Sequence, residues 1–463
     1  MQTLTMAAIA AALLIFVLLG LRARHPGGLD DYLTARNSQT GLTLGLSFLA
    51  SGMGAWILFA PPEVGAFVGP VAVAGYALGS ALPFALLAWM GPTIRRRLAQ
   101  GRSLTEFAAE RFGNGFRRWI GVLSLLYMLC FLAAELTAVG AITALLSGID
   151  GAFTIAAVAA ATLVYTMAGG LRASLITDRW QGGLLLVLLA LVALAALMAP
   201  AGDATAGAAS TAPPSAATGL TVALTLVIAV TAANLFHQGY WQRVWAAADI
   251  PALRRGALLG GIATMLVIGV LGGLGLVAAG RGLELGNPPI PFFALLAEAP
   301  AWLTLPALVL GITLVASSVD TLQNALVSLG ASETGRLGLR GARVLTALLM
   351  LPVVLLALQQ VSVLRLFLIA DLLCATAVVP LLSALFHRAS TKAAVLGCLA
   401  GVVGAIIPGV VTGGSLAAGL LAASFPAATP TLGPFLGALV ASSLVTAAVM
   451  VPLPVSRRRS APD

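Results

Sequence analysis

The residues that could do chemistry gather at two interruptions in otherwise apolar runs. Leu42 to Ala60 is long enough to cross a bilayer, yet its middle reads Ser51, Gly52, Met53, Gly54. A helix broken there leaves carbonyls and amides at membrane depth, which are tolerated only where protein or a polar cavity satisfies them. An ion or a small solute can do so. Close packing of another helix is the other reading of the same small residues. A second run ends in Thr231 to Gly239, with Asn234, His237, Gln238 and Gly239 ahead of an aromatic cluster. The side chains flanking the two breaks are therefore the candidates for lining a solute site: Ser51, Gly54, Ala55, Trp56 and Phe59 from the first, and Val230, Ala233, Asn234 and Gln238 from the second.

Glu135, Asp320 and Asp371 also fall inside apolar runs, where charge is expensive and an acid is a functional candidate for that reason. Asp178 lies between Arg172 and Arg179 and reads as a loop residue, able to form an ion pair that fixes the loop. His25, His237 and His387 are isolated from one another, and Cys130, Cys374 and Cys398 lack metal-ligand spacing. No nucleophile, acid-base or metal constellation emerges, so an enzyme is not expected.

The elements that must position these residues follow from composition. Of 463 residues, 60% are hydrophobic and 9% charged, which specifies a polytopic membrane protein with the lipid bilayer as its surroundings. A window of about twenty residues gives thirteen candidate spans, the first from Thr5 to Leu21 read as a retained helix. Lys and Arg collect in alternate loops, 23 of 25 on one side, with Arg281 and Arg365 on the other. The N-terminus is thus expected outside and the C-terminus in the cytoplasm of a plasma (inner) membrane. The net charge of +9 resides in these loops and speaks of topology, not of nucleic acid.

The second interrupted span lies five spans after the first. Five is odd, so five-helix units beginning at spans two and seven would enter the membrane from opposite sides, an inverted repeat with its site between paired broken helices. The expected division is 1-40 (extra helix and loop), 41-199 (first repeat), 200-217 (exterior loop), 218-385 (second repeat) and 386-463 (two helices and a basic tail).

From Gly169 onward the chain resembles the sodium:solute symporters. The most specific piece is GGLRASLITDRWQG, Gly169 to Gly182, supported by LDDYLTARN, RSLTEFAAERFG, GYWQRVWAAAD and VASSVDTLQNALVSL in the family's order. The resemblance implies an all-α, leucine-transporter-like fold, with one extra helix before the two repeats and two after, running Na⁺ symport by alternating access. It further implies a Na⁺ site built from the carbonyls of Ala50, Met53 and Leu314 and the hydroxyls of Ser317 and Ser318, with Asp178 on the inward ion path. Gly52 stands where proline carriers place an Asp. A neutral cage of this kind suits a hard cation that must be released again. The solute expected from a small, apolar wall with few amides is an amino acid, a short carboxylate or a urea-like molecule. A proton-coupled carrier of the same fold, and a membrane sensor or transport subunit, are the alternatives; oligomeric state is not specified.

Overall fold

The computed structural model describes residues 2–22, 28–198, 215–285, 290–297, 301–334, 338–359, 363–386, 389–426 and 429–450. The expected exterior loop up to residue 214, and the basic tail, Arg457 to Arg459, lie outside them, and the loop's last residues, 215–217, cap and begin α8. The described residues are almost entirely helical, with one isolated bridge pairing Gln39 with Ala247. In order they form α1 (Gln2–Arg22), α2 (Leu29–Thr34), α3 (Gly41–Gly52), a 3-10 turn (Ala55–Leu58), α4 (Ala60–Val68), α5 (Pro70–Arg97), α6 (Leu104–Ser147), α7 (Gly151–Met198), α8 (Ala216–Leu235) and α9 (Gln238–Ala246). There follow α10 (Ile250–Gly280), α11 (Pro291–Ala297), α12 (Thr304–Thr334), α13 (Leu339–Leu358), α14 (Val363–Leu382), α15 (Thr391–Gly413), α16 (Leu416–Ala423) and α17 (Leu432–Met450).

Among the described residues, eleven helices are long and apolar enough to cross a membrane, or twelve when the bent pair Gly41–Gly52 and Ala55–Val68 counts as one span. The expected count of thirteen treats the two halves of α7 as separate spans. The 48 residues of α7 comprise two helical segments joined at a kink, where Gly170 leaves helical geometry at φ 58° and ψ −143°. Only glycine takes up that backbone readily, and a side chain there would also strike the carbonyl and ring of Tyr32. Asp178 lies in the second of these segments and is helical and fully buried, not a solvated loop residue.

Starts of the helices follow local chemistry. Thr40, Ser103, Asp249 and Ser390 each accept a bond from the backbone N–H three residues on, satisfying donors that a first turn leaves free.

Two glycine seams organise the bundle. Gly41 and Gly45 of α3 lie against Gly256 and Gly260 of α10, so a Cβ added at Gly260 would sit 2.7 Å from that of Phe48. Gly75 and Gly79 of α5 face α8, where a Cβ at Gly79 would lie 2.8 Å from the carbonyl of Leu226. Without a hydrophobic drive between helices in lipid, such close backbone approach supplies the dispersion that holds them. The seams are reciprocal: each interrupted span packs on the helix that follows the other one. A second group, α6, α7 and α12, packs mutually and meets the first at the breaks.

Candidate functional site

At the first break the last helical bond of α3 runs from the Met53 N–H to the Leu49 carbonyl at 3.0 Å. Carbonyls from Ala50 onward have thus outrun their helical donors. Met53 and Gly54 are extended, and the chain resumes as the 3-10 turn and α4, bent by 67° from α3. The Glu135 carboxylate of α6 occupies the gap. Its Oε2 accepts the Ala55 N–H at 2.7 Å, while the carboxylate presses on the bare Cα of Gly54, where a Cβ would collide with it. Gly52 is bare for a different reason: the hydroxyl of Tyr240 fills the place of its side chain, so an Asp does not fit there.

The signature stretch forms a buried polar hub behind this break. Asp178 accepts from Ser47 (2.6 Å) and Ser317 (2.8 Å), and pairs with Arg243 of α9 at 2.6 Å, both partners of the pair being wholly inaccessible. Arg243 is further held by Ser47, the Gly239 carbonyl and Thr321. Asp320 accepts from Tyr165, Ser174 and Thr177 at 2.6 to 3.1 Å. Arg172 grips Asp31 bidentately at 2.6 to 2.8 Å, which ties α7 to α2. Of the expected Na⁺ ligands, Ala50, Met53, Leu314, Ser317 and Ser318 are all buried, α3 packs on α12, and Ser318 Oγ finds no hydrogen-bond partner. These neutral oxygens, one of them orphaned, fit a Na⁺ ion.

Between the breaks lies a cavity of about 410 Å³. Trp56 and Phe59 line it beside the first break, and Val230, Ala233 and Asn234 beside the second. The other four candidates, Ser51, Gly54, Ala55 and Gln238, are not on its wall, the Ala55 N–H being taken by Glu135. Ser51 donates back to the Phe48 carbonyl at 3.3 Å, Gly54 faces Glu135, and Gln238 turns towards the end that carries the basic loops. Sequence reasoning missed Glu63, Tyr76 and Tyr127 on the wall and left Asp371 without a place; all four line the cavity with Phe131 and Phe367. Trp56 stacks on Tyr76 with ring centres 5.7 Å apart, and Phe131 meets Phe367 edge-on at 4.9 Å. No Lys or Arg is on this wall among the described residues.

Gln238 closes the floor. Its Nε2 donates to the Arg102 carbonyl at 2.6 Å, and its Oε1 accepts the Leu104 N–H at 3.0 Å, so α9 is bolted to the start of α6. Trp245 Nε1 donates to the Leu98 carbonyl at 2.7 Å nearby. Replacing Gln238 by Ala removes both bonds and leaves the Leu104 N–H unpaired, at about 1–3 kcal/mol, while the Arg102 carbonyl keeps the Ser328 hydroxyl at 3.2 Å. The expected outcome is a population shifted towards opening at this end, read as faster maleimide labelling of a cysteine placed at Ser328; unchanged labelling would show that the bolt does not hold the closure.

The comparisons with known proteins agree with this architecture. The model of the sodium:solute symporter family matches residues 32–279. The spermidine transporter DUR31 of Candida albicans is 30% identical over 356 residues, covering 76% of this chain and 68% of that protein. Sodium/glucose cotransporter 4 of Danio rerio is 28% identical over 195 residues, 40% of this chain and 29% of the relative. Among solved structures, a Na⁺-coupled sialic acid symporter in a substrate-bound outward-open state superposes with a TM-score of 0.72 at 17% identity, covering 96% of this chain and 98% of that one. Mhp1, a nucleobase-cation-symport-1 transporter, gives 0.58 at 14% identity, with 90% and 93% covered. The fold is that of the leucine-transporter-like carriers, and the relatives are transporters, not enzymes. With its family model matched over more than half its length, the chain belongs to the sodium:solute symporter family.

Proposed function

We propose that the protein carries a small organic cation, an amine, together with Na⁺ by alternating access around the aromatic cavity. The observation that supports the solute class is the charge of the wall: Glu63 of α4 and Asp371 of α14 line it, six aromatic rings surround them, and no basic side chain offsets the acids. An acid in apolar surroundings needs a proton or a cationic partner, and aromatic faces attract ammonium groups. A short carboxylate, one solute the sequence left open, would meet two like charges there. Spermidine transport by the Candida albicans relative supports an amine.

Na⁺ coupling is supported by family membership and by the oxygens at the α3 break. Moving one charge across about 100 mV is worth roughly 2.3 kcal/mol, and a tenfold Na⁺ gradient adds about 1.4. A monovalent amine travelling with one Na⁺ is driven by the potential twice, for about 6 kcal/mol, or roughly a ten-thousandfold accumulation. The test is uptake of radiolabelled spermidine, a monoamine, urea, proline and glucose into proteoliposomes with and without a Na⁺ gradient. Na⁺-driven amine uptake is expected; uptake confined to neutral or anionic solutes overturns the reading.

The division of 23 basic residues to 2 supports an outside N-terminus and a cytoplasmic C-terminus. Single cysteines at Ala208 and Ser460 should then differ in intact cells, the first labelled by an impermeant maleimide and the second protected. Labelling of Ser460 alone reverses the orientation.

A further inference from the structure

We infer that Glu135 is itself a ligand of the coupling ion, supplying a charged oxygen to the break from α6. The inference rests on the Na⁺ reading above and adds a residue to that site.

Glu135 is wholly inaccessible. Its Oε2 is satisfied by the Ala55 N–H, but its Oε1 is buried with no hydrogen-bond partner, against the Gly54 backbone. The carbonyls released at the end of α3 belong to the residues just before Gly54, the residue whose backbone the free oxygen faces. The hydroxyl expected from α12 is at the same level. α6 and α12 run antiparallel, fixed where Gly311 faces Ile142 and where Arg117 pairs with Glu333 at 3.0 Å. Seven residues from Ile142 along α6 lead to Glu135, and seven from Gly311 along α12 lead to Ser318, equal steps at about 1.5 Å per residue. Ser318 Oγ is the second orphaned oxygen.

Charge balance points the same way. Asp178 has Arg243, and Asp320 has three hydroxyl donors and a position in the hub. Glu135 has only backbone N–H groups at the start of the 3-10 turn, those of Ala55 and Trp56, and no basic side chain bonded to it among the described residues. A hard monovalent cation between the α3 carbonyls, Ser318 Oγ and Glu135 Oε1 satisfies both orphans and neutralises the carboxylate. The Ala55 bond then has a positioning role: it links the cation's charged ligand to the first residue of the Ala55–Val68 half-span, whose Trp56 and Phe59 line the solute cavity.

The experiment measures ²²Na⁺ binding and Na⁺-dependent thermal stabilisation of the purified full chain, wild type against Glu135→Gln and Ser318→Ala. Gln retains an acceptor for the Ala55 N–H, so a capping role survives the substitution and a ligand role does not. Melting without Na⁺ should therefore stay near wild type, while apparent Na⁺ affinity falls at least tenfold. Wild-type Na⁺ affinity in Glu135→Gln overturns the inference and confines Glu135 to capping; a loss in Ser318→Ala alone then leaves the Na⁺ reading standing. If Glu135→Gln does not fold, Glu135→Asp retains the charge one methylene short, and unaltered Na⁺ affinity in it overturns the inference equally. Absence of Na⁺ binding to the wild type, with uptake following an imposed pH gradient, overturns both readings and makes the occupant a proton.

Discussion

Asp178→Asn is expected to destabilise the protein by about 3–5 kcal/mol, because it strands the Arg243 guanidinium in a site with no access to solvent. The loss arises less from the attraction removed than from the charge left behind. Arg243 would retain the Ser47 hydroxyl, the Gly239 carbonyl and Thr321, which are neutral partners and do not replace a carboxylate. The double variant Asp178→Asn/Arg243→Met removes both charges and keeps much of the volume. It is expected to recover most of the lost stability, since an apolar replacement of a buried pair is often neutral or better. Thermal unfolding in detergent, followed by tryptophan fluorescence, reads both variants. A single variant that melts with the wild type, or a double that melts with the single, would show that the pair is not energetically coupled.

Asp371→Asn should weaken binding of an amine solute by between tenfold and a few hundredfold, with Glu63→Gln acting in the same direction. Opposite unit charges about 4 Å apart at an effective dielectric near 20 attract by about 4 kcal/mol, and desolvation of the acid returns part of that. Every 1.4 kcal/mol of the remainder is about a factor of ten in affinity. Neutral solutes should be unaffected or bind better, since removing an uncompensated acid lowers the cost of closing the cavity around them. Competition binding by the purified variants, with spermidine and urea as the paired probes, separates the two cases. An Asp371→Asn protein that keeps wild-type amine affinity would place the cation elsewhere.

The sequence made the class, the family and the first break legible because each depends on local pattern. Hydropathy marks spans without knowledge of partners, and Ser51 to Gly54 interrupts an apolar run whatever surrounds it. Trp56, Phe59 and Asn234 were found because they flank breaks. What was missed depends on which helices meet. Glu63 was passed over because residues 61–65 read as the gap between two spans, whereas they belong to α4, the second half of one. Asp178 looked solvated because two arginines flank it; Arg172 is drawn away to Asp31, and the partner of Asp178 comes from α9, sixty-five positions on. Gln238 looked like a solute amide and is instead a bolt, since its neighbours are the carbonyl and N–H of a loop that no periodicity places there. The two halves of α7 were legible as separate spans because Gly169 and Gly170 interrupt the apolar run, and Gly170 at positive φ is where the two helical segments kink.

The contrast between the glycine seams and the hydrogen-bonded contacts at the breaks has a mechanical meaning. Along the two seams of the first group the backbones are welded by close approach, which slippage would destroy all at once. Across the groups the fastenings are discrete: Glu135 on Ala55, Ser47 and Arg243 on Asp178, Gln238 on the start of α6. Such fastenings let go one at a time, and each can re-pair with an ion, a solute group or water. The molecule is therefore built like a clutch, with two stiff plates and a wettable face between them. Cargo engages that face, and whatever re-pairs its polar groups sets how easily one plate turns on the other.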